Sequence, residues 1–248
     1  MRVAGATFFL TGAAGGIGRE FVAASLARGA ARVYAADLTA TSVETWRGDT
    51  RIEPVDLDIT DHDAVARAAA AAGDVRVLIN NAGVNLRAPF IAAPSLERAR
   101  REMETNYFGT LAMCRAFAPI LVRNAVQGGG AIVNTLSILA KVTLPNLGSY
   151  CASKAALLRL SEGVRAELGP QGVQVVTLMP WAVDTPMSGP FQGEKTSPAE
   201  VAAGALDALE QGLEESYTHS YTDEINARLR SDPKGLEQEL AATFRSAR

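Results

Sequence analysis

Ala6-Thr7-Phe8-Phe9-Leu10-Thr11-Gly12-Ala13-Ala14-Gly15-Gly16-Ile17-Gly18 runs from an apolar stretch into glycines, and the amphipathic Arg19-Glu20-Phe21-Val22-Ala23-Ala24-Ser25-Leu26 follows at once. The pattern predicts a strand, a tight turn and a helix. Glycines allow unusual backbone angles and a close approach of main chain to a ligand, and the helix start offers free N–H groups at the positive end of its dipole. A turn of this kind, placed directly between strand and helix, is a candidate seat for a pyrophosphate. A second apolar run, Ala31-Arg32-Val33-Tyr34-Ala35-Ala36, ends at Asp37. An acid about 20 residues past the glycines is placed to accept hydrogen bonds from ribose hydroxyls.

Further along, Gly148-Ser149-Tyr150-Cys151-Ala152-Ser153-Lys154 sets a phenol and an amine four residues apart. On a helix they share one face, one turn apart. An ammonium beside a phenol favours the phenolate, so the pair is expected to lower the tyrosine pKa towards neutrality and to serve acid–base chemistry.

Strand-like and helix-like segments alternate along the whole chain, which predicts a parallel sheet with crossover helices. Strands are expected near 6–11, 31–36, 51–56, 75–79, 131–136 and 173–178, with a short seventh near 215–218. Helices are expected near 17–29, 61–72, 95–124, 149–168 and 198–212, with a helical tail over about 220–248. The fold class is therefore α/β, a Rossmann-type doubly wound parallel sheet of about seven strands with helices on both faces. No repeat or linker divides the chain, so residues 1–248 are expected to form a single domain.

Among its 248 residues 48% are hydrophobic and 21% charged, and the net charge is -3. Without a basic stripe, nucleic acid is not an expected partner. No apolar run approaches a membrane span and no signal-peptide pattern precedes Ala6, so a cytoplasmic location is expected. The histidines, His62 and His219, lack metal-ligand spacing, and no metal is expected. A Gly-x-Ser-x-Gly elbow is absent, which disfavours a serine hydrolase. Cys114 and Cys151 read as reduced thiols.

The chain resembles the short-chain dehydrogenase/reductase family in its single-domain branch. The motifs that carry the likeness are Thr11-Gly12-x-x-x-Gly16-x-Gly18, Asp56-Leu57, Asn80-Asn81-Ala82-Gly83, Asn106, Ser137, Tyr150-x-x-x-Lys154 and Pro180 to Thr185. They occur in the family's order from near residue 6 to near residue 187, while the last quarter matches loosely. The resemblance implies a catalytic set of Asn106, Ser137, Tyr150 and Lys154. It implies cofactor contacts from Gly12, Gly16, Ile17, Gly18, Asp37, Asp56, Leu57, Asn80, Ala82, Gly83, Tyr150, Lys154, Pro180, Val183 and Thr185. Asp56-Leu57 would meet the adenine, and Asn106 would bend its helix and hold a water next to the lysine. NAD(H) is expected over NADP(H), since Asp37 would repel a 2′-phosphate and no Arg or Lys stands at 13–15 or 38–39. Family members pair through the helices near 95–124 and 149–168, which implies a homotetramer, with a homodimer as second choice.

One departure bears on the substrate. Where the family usually has Pro-Gly, this chain has Pro180-Trp181. The indole is expected to turn into the cleft. Together with Leu139, Met187 and Phe191 it would form an apolar, aromatic wall, under a cover segment of about 186–197. The expected reaction interconverts a secondary alcohol and a ketone, on a hydrophobic cyclic or aromatic molecule. Reduction of an imine or another C=N or C=C substrate is an alternative, as is a nucleotide-sensing protein without turnover.

Overall fold

The computed structural model describes residues 1–39, 48–126, 128–189 and 191–246, with side chains up to residue 242. Seven strands form one parallel sheet: β1 (Thr7–Thr11), β2 (Arg32–Asp37), β3 (Ile52–Asp56), β4 (Val77–Asn80), β5 (Gly130–Thr135), β6 (Val173–Leu178) and β7 (Glu215–Ser216). Their spatial order is β3-β2-β1-β4-β5-β6-β7. The order reverses direction between β1 and β4, the place where a parallel sheet opens a crevice at its carboxyl edge.

Two apolar layers hold the helices to the sheet. On one face, α1 (Gly16–Ala27) and α6 (Pro198–Gln211) bury Phe21, Val22, Val201 and Leu206 against Phe8, Leu10 and Val33. On the other, α2 (His62–Ala71), α4 (Thr110–Ala125) and α5 (Gly148–Leu168) bury Val65, Met113, Phe117 and Leu157 against Phe9, Leu78 and Ile132. Central strands covered on both faces explain why β1, β4 and β5 are buried at every residue. Met113, Phe117, Leu157 and Leu160 thus belong to the sheet-facing core rather than to a bare helix surface.

The helix expected over 95–124 is interrupted. It runs as α3 (Glu97–Met103), a π-helical turn (Glu104–Gly109) and then α4. Such a turn carries one residue too many for the i→i−4 ladder and commonly marks a functional site. Here the turn contains Asn106.

The tail forms α7 (Ser220–Ser231) and α8 (Pro233–Ser246). Ile225, Leu236 and Leu240 from these helices pack with Ile138, Leu139, Tyr150 and Cys151, and half-buried Trp181 and Tyr221 join them. The tail is therefore docked beside the carboxyl end of β5 and β6. No helix among the described residues is long and apolar enough to cross a membrane.

Candidate active site

The crevice at the carboxyl edge is a cavity of about 1060 Å³. At one end lies the glycine turn. Gly12 has φ +67°, open to a side chain only under strain, and a Cβ there would stand 2.9 Å from Ala82 Cα. A Cβ on Gly18 would fall 2.0 Å from the Gly12 carbonyl oxygen, so this glycine lets α1 pack on the turn. At Gly16 a Cβ would meet the Thr185 methyl at 2.6 Å, which couples the turn to the segment after β6. Gly15 caps α1 without any side-chain bond, and the first turn holds no acid. Its N–H groups are thus left for an anion in the cavity, as a dinucleotide's pyrophosphate requires.

Asp37 stands at the tip of β2 on the cavity wall. Its Oδ2 accepts the Ala14 N–H at 2.8 Å and its Oδ1 the Leu38 N–H at 2.8 Å. Arg19 donates through Nε to the Ala14 carbonyl at 2.9 Å, placing a cation beside this corner that the linear motif did not reveal.

Two expected contacts fall elsewhere. Asp56 is the exposed last residue of β3 and is not part of the cavity wall, which is formed by Leu57, Asp58, Ile59 and Thr60. The chain follows β2 one step further, with the Leu57 N–H donating to the Asp37 carbonyl at 2.8 Å, before it turns. Asp58, whose Oδ1 accepts the Thr60 N–H at 2.9 Å, is the acid that faces the crevice. Asn80 turns its side chain into the interior, where Nδ2 donates to Asn134 Oδ1 at 2.8 Å. Its neighbour Asn81 does the work at the crevice: Nδ2 donates to the carbonyls of Thr11 and Gly12, at 3.3 and 3.1 Å, and so fixes the glycine turn. Ala82, Gly83, Pro180, Val183 and Thr185 line the cavity, as do Gly12, Gly16 and Ile17.

At the other end α5 delivers Tyr150 and Lys154, 8% and 5% exposed, to the same cavity. Lys154 Nζ donates to the Thr135 carbonyl at 2.9 Å and stands 5.7 Å from the Tyr150 ring centroid. Ser137, just past β5, stands on the same cavity wall, its Oγ donating to the Pro180 carbonyl at 3.5 Å and accepting the Leu139 N–H at 3.2 Å. The electrostatics differ from the expectation. Burial is the largest cause that pushes the Tyr150 pKa up, and it pulls Lys154 down to about 8. Desolvation of both groups outweighs the attraction of an ammonium that is itself poorly solvated. The phenol is therefore held protonated at neutral pH.

Asn106 is fully buried and off the cavity wall. Its Nδ2 donates to the Val84 carbonyl and to Ser153 Oγ, each at 2.9 Å, and its Oδ1 accepts the Val84 N–H at 2.9 Å. The π turn thus lets Asn106 clamp the chain after Gly83 to the helix that carries Lys154.

A residue absent from the sequence reading completes this end. Glu102 is fully buried. It accepts the Leu86 N–H at 2.6 Å and the hydroxyl of Ser149, the residue before Tyr150. An acid in a charged run, Glu97 to Glu104, gives no sign of burial in the sequence.

Leu139, Trp181, Met187 and Phe191 all border the cavity. The Trp181 indole meets Tyr221 edge-on, ring centroids 4.6 Å apart, and Phe191 at 5.7 Å. Pro190, within the expected cover segment, lies outside the described residues. His219 Nδ1 accepts the Tyr221 N–H at 3.1 Å and caps α7, whereas His62 is exposed. No group of His, Cys, Asp or Glu among the described residues could hold a metal ion.

A doubly wound sheet whose switch point joins a glycine turn to a buried Tyr–Lys pair defines a dinucleotide-type α/β protein. The chain belongs to the short-chain dehydrogenases, whose family model matches residues 6–196. A crystal structure of a short-chain dehydrogenase from Burkholderia cenocepacia in complex with NADP is 44% identical. It aligns over 97% of this chain and 99% of its own, with a TM-score of 0.92. D-erythrulose reductase of Gallus gallus is 37% identical over 72% of this chain and 71% of its own length. The probable oxidoreductase EphD of Mycobacterium tuberculosis is 35% identical over 71% of this chain, and the match spans only 31% of that longer protein.

Proposed function

We propose that the protein is an oxidoreductase that uses NAD(H) to interconvert a hydrophobic ketone, cyclic or aromatic, and its secondary alcohol. The observation that carries this reading is the buried Tyr150 in one cavity with Lys154, Ser137, the glycine turn and Asp37. A bound reduced nicotinamide supplies the hydride. Tyr150 donates its phenolic proton to the carbonyl oxygen, and Ser137 donates a hydrogen bond to the same oxygen as negative charge develops there. Lys154 stabilises the phenolate left behind and takes the ribose hydroxyls, while Asn106 keeps the turn after Gly83 and α5 in fixed relation. Gly12, Gly16, Ile17 and Asp37 hold the adenosine and pyrophosphate half, with Leu57 and Asp58 against the adenine. Pro180, Val183 and Thr185 border the nicotinamide half. Leu139, Trp181, Met187 and Phe191 form the substrate wall.

The NAD(H) preference rests on the Asp37 carboxylate, which repels a 2′-phosphate. The NADP held by the Burkholderia protein and the position of Arg19 weigh on the other side, so cofactor choice is its own measurement. Fluorescence titration should give at least about tenfold tighter binding of NADH than NADPH, as a like-charge contact of ~1.4 kcal/mol implies. Equal dissociation constants would remove the preference. A panel of aryl and cyclic ketones with either cofactor tests the reaction. Cofactor binding without turnover of any carbonyl would favour a nucleotide-sensing protein instead. The proposed protein is one cytoplasmic domain that assembles as a homotetramer, a dimer being second. Light scattering that gave a monomer mass would exclude both.

A further inference from the structure

We propose that Arg87 is an anion-recognition residue of the substrate end, selecting a ketone that carries a carboxylate or similar anionic group. This deepens, and rests on, the reading of the cleft as a ketone site. Arg87 lies in the segment after β4, half-buried, on the cavity wall that also holds Tyr150 and Met187. It is the only non-glycine among the described residues with a left-handed backbone, φ +53°. Such a conformation persists where its surroundings enforce it, and here each neighbour is fixed. The Arg87 N–H donates to Asn85 Oδ1 at 3.1 Å, and the Leu86 N–H to buried Glu102 at 2.6 Å. The Leu86 carbonyl accepts from Arg98 at 3.3 Å, and the Ala88 carbonyl accepts the Ser149 N–H at 3.1 Å.

This platform projects the guanidinium across the cleft, where one nitrogen donates to the Met187 carbonyl of the cover segment at 2.9 Å. No carboxylate among the described residues pairs with it. The two lysines of the substrate-facing segments are engaged: Lys141 with Glu215 at 3.2 Å and Lys195 with Asp184 at 3.5 Å. The acids nearer the glycine turn, Asp37 and Asp58, are occupied by backbone donors. A guanidinium tethered at the rim of the cleft and without an anionic partner among the described residues presents a planar fork of donors that suits a carboxylate. With the apolar wall of Leu139, Trp181 and Phe191, the complementary substrate has an apolar body and one anionic end.

The test uses the enzyme loaded with oxidised cofactor, which forms a dead-end complex with a ketone, and two probes of one shape, 4-acetylbenzoate and 4-acetylbenzamide. Calorimetry should give tighter binding of the benzoate by about tenfold or more, as a charge-assisted fork implies. In Arg87→Met that ratio should collapse to about one, and Arg87→Lys should restore only part of it. Equal affinities in the wild type would overturn the inference. So would a ratio that survives in Arg87→Met while both affinities fall together, since Arg87 would then only latch the cover. A benzoate preference lost in Arg87→Met, in an enzyme that reduces neither ketone with reduced cofactor, would refute the proposed reaction and leave the anion site standing.

Discussion

The two ends of the crevice are built on different principles. The glycine end is made of backbone: Gly12, Gly16 and Gly18 are fixed by what a Cβ would strike, and Asn81 and Asp37 hold the turn through main-chain groups. The end proposed for the substrate is made of side chains brought from four places, Leu139 after β5, Tyr150 on α5, Trp181 after β6 and Phe191 in the cover, with Tyr221 of α7 packed against the indole. Backbone sites tolerate little change because their geometry is local and steric. Side-chain walls can be remodelled, because each member contributes contact area rather than a unique conformation. The family match ends at residue 196 and leaves out α7 and α8, which pack beside Leu139, Tyr150 and Trp181.

The largest effect expected is chemical and lies where the two ends meet. Tyr150→Phe keeps the ring and removes the proton, so turnover should fall by about two to four decades while cofactor affinity hardly moves. Single-turnover kinetics and fluorescence titration measure the two separately, and near-wild-type turnover would end the mechanism. At the glycine end, Gly18→Ala should cost about 3 kcal/mol or more, above ordinary overpacking, because its Cβ would lie 2.0 Å from a backbone oxygen. A urea midpoint close to wild type would show that α1 can shift, and the contrast between the two ends would weaken.

A third expectation concerns pH. Burial lowers Lys154 to about 8 in the fold from an ordinary 10.5. Between these values the unfolded chain binds the proton and the native chain has lost it, so the contribution of Lys154 to stability rises with pH through the window from about 8 to 10. An opposite contribution comes from Cys114 and Cys151, whose thiols burial holds protonated. Below it both states are protonated and the desolvation cost stands in full. Relative to Lys154→Met, the cofactor-free wild type should gain on the order of 2 kcal/mol across this window. Urea unfolding at pH 7.5 and 9.5 checks this, and equal slopes in both proteins would place the lysine in a wetter site. The smallest effect belongs to the substrate wall. Trp181→Gly should raise kcat/KM for bulky ketones relative to small ones by about threefold to thirtyfold, the scale of one or two lost apolar contacts. An unchanged size profile would mean that Tyr221 and Phe191 close the space left by the indole.

The sequence by itself determined the sheet, the glycine turn and the Tyr–Lys pair. Each depends on short-range pattern: period-two or continuous apolar strands, glycines where no Cβ fits, and a four-residue helical spacing. Ser137 and Asn106 were named through the family resemblance; Ser137 stands on the cavity wall just past β5, whereas Asn106 lies behind it in the π turn. The same resemblance named Asp56 together with Leu57, but Asp58 rather than Asp56 lines the cavity, since only the pairing of β3 with β2 decides where the strand ends and which acid faces inward. The burial of Glu102, the interior turn of Asn80, the left-handed Arg87 and the docking of Tyr221 on Trp181 were decided by tertiary structure alone. None has a local signature. Each follows from desolvation and hydrogen bonding between segments far apart in the chain, such as Leu86, Glu102 and Ser149, and those terms exist only once the segments have met.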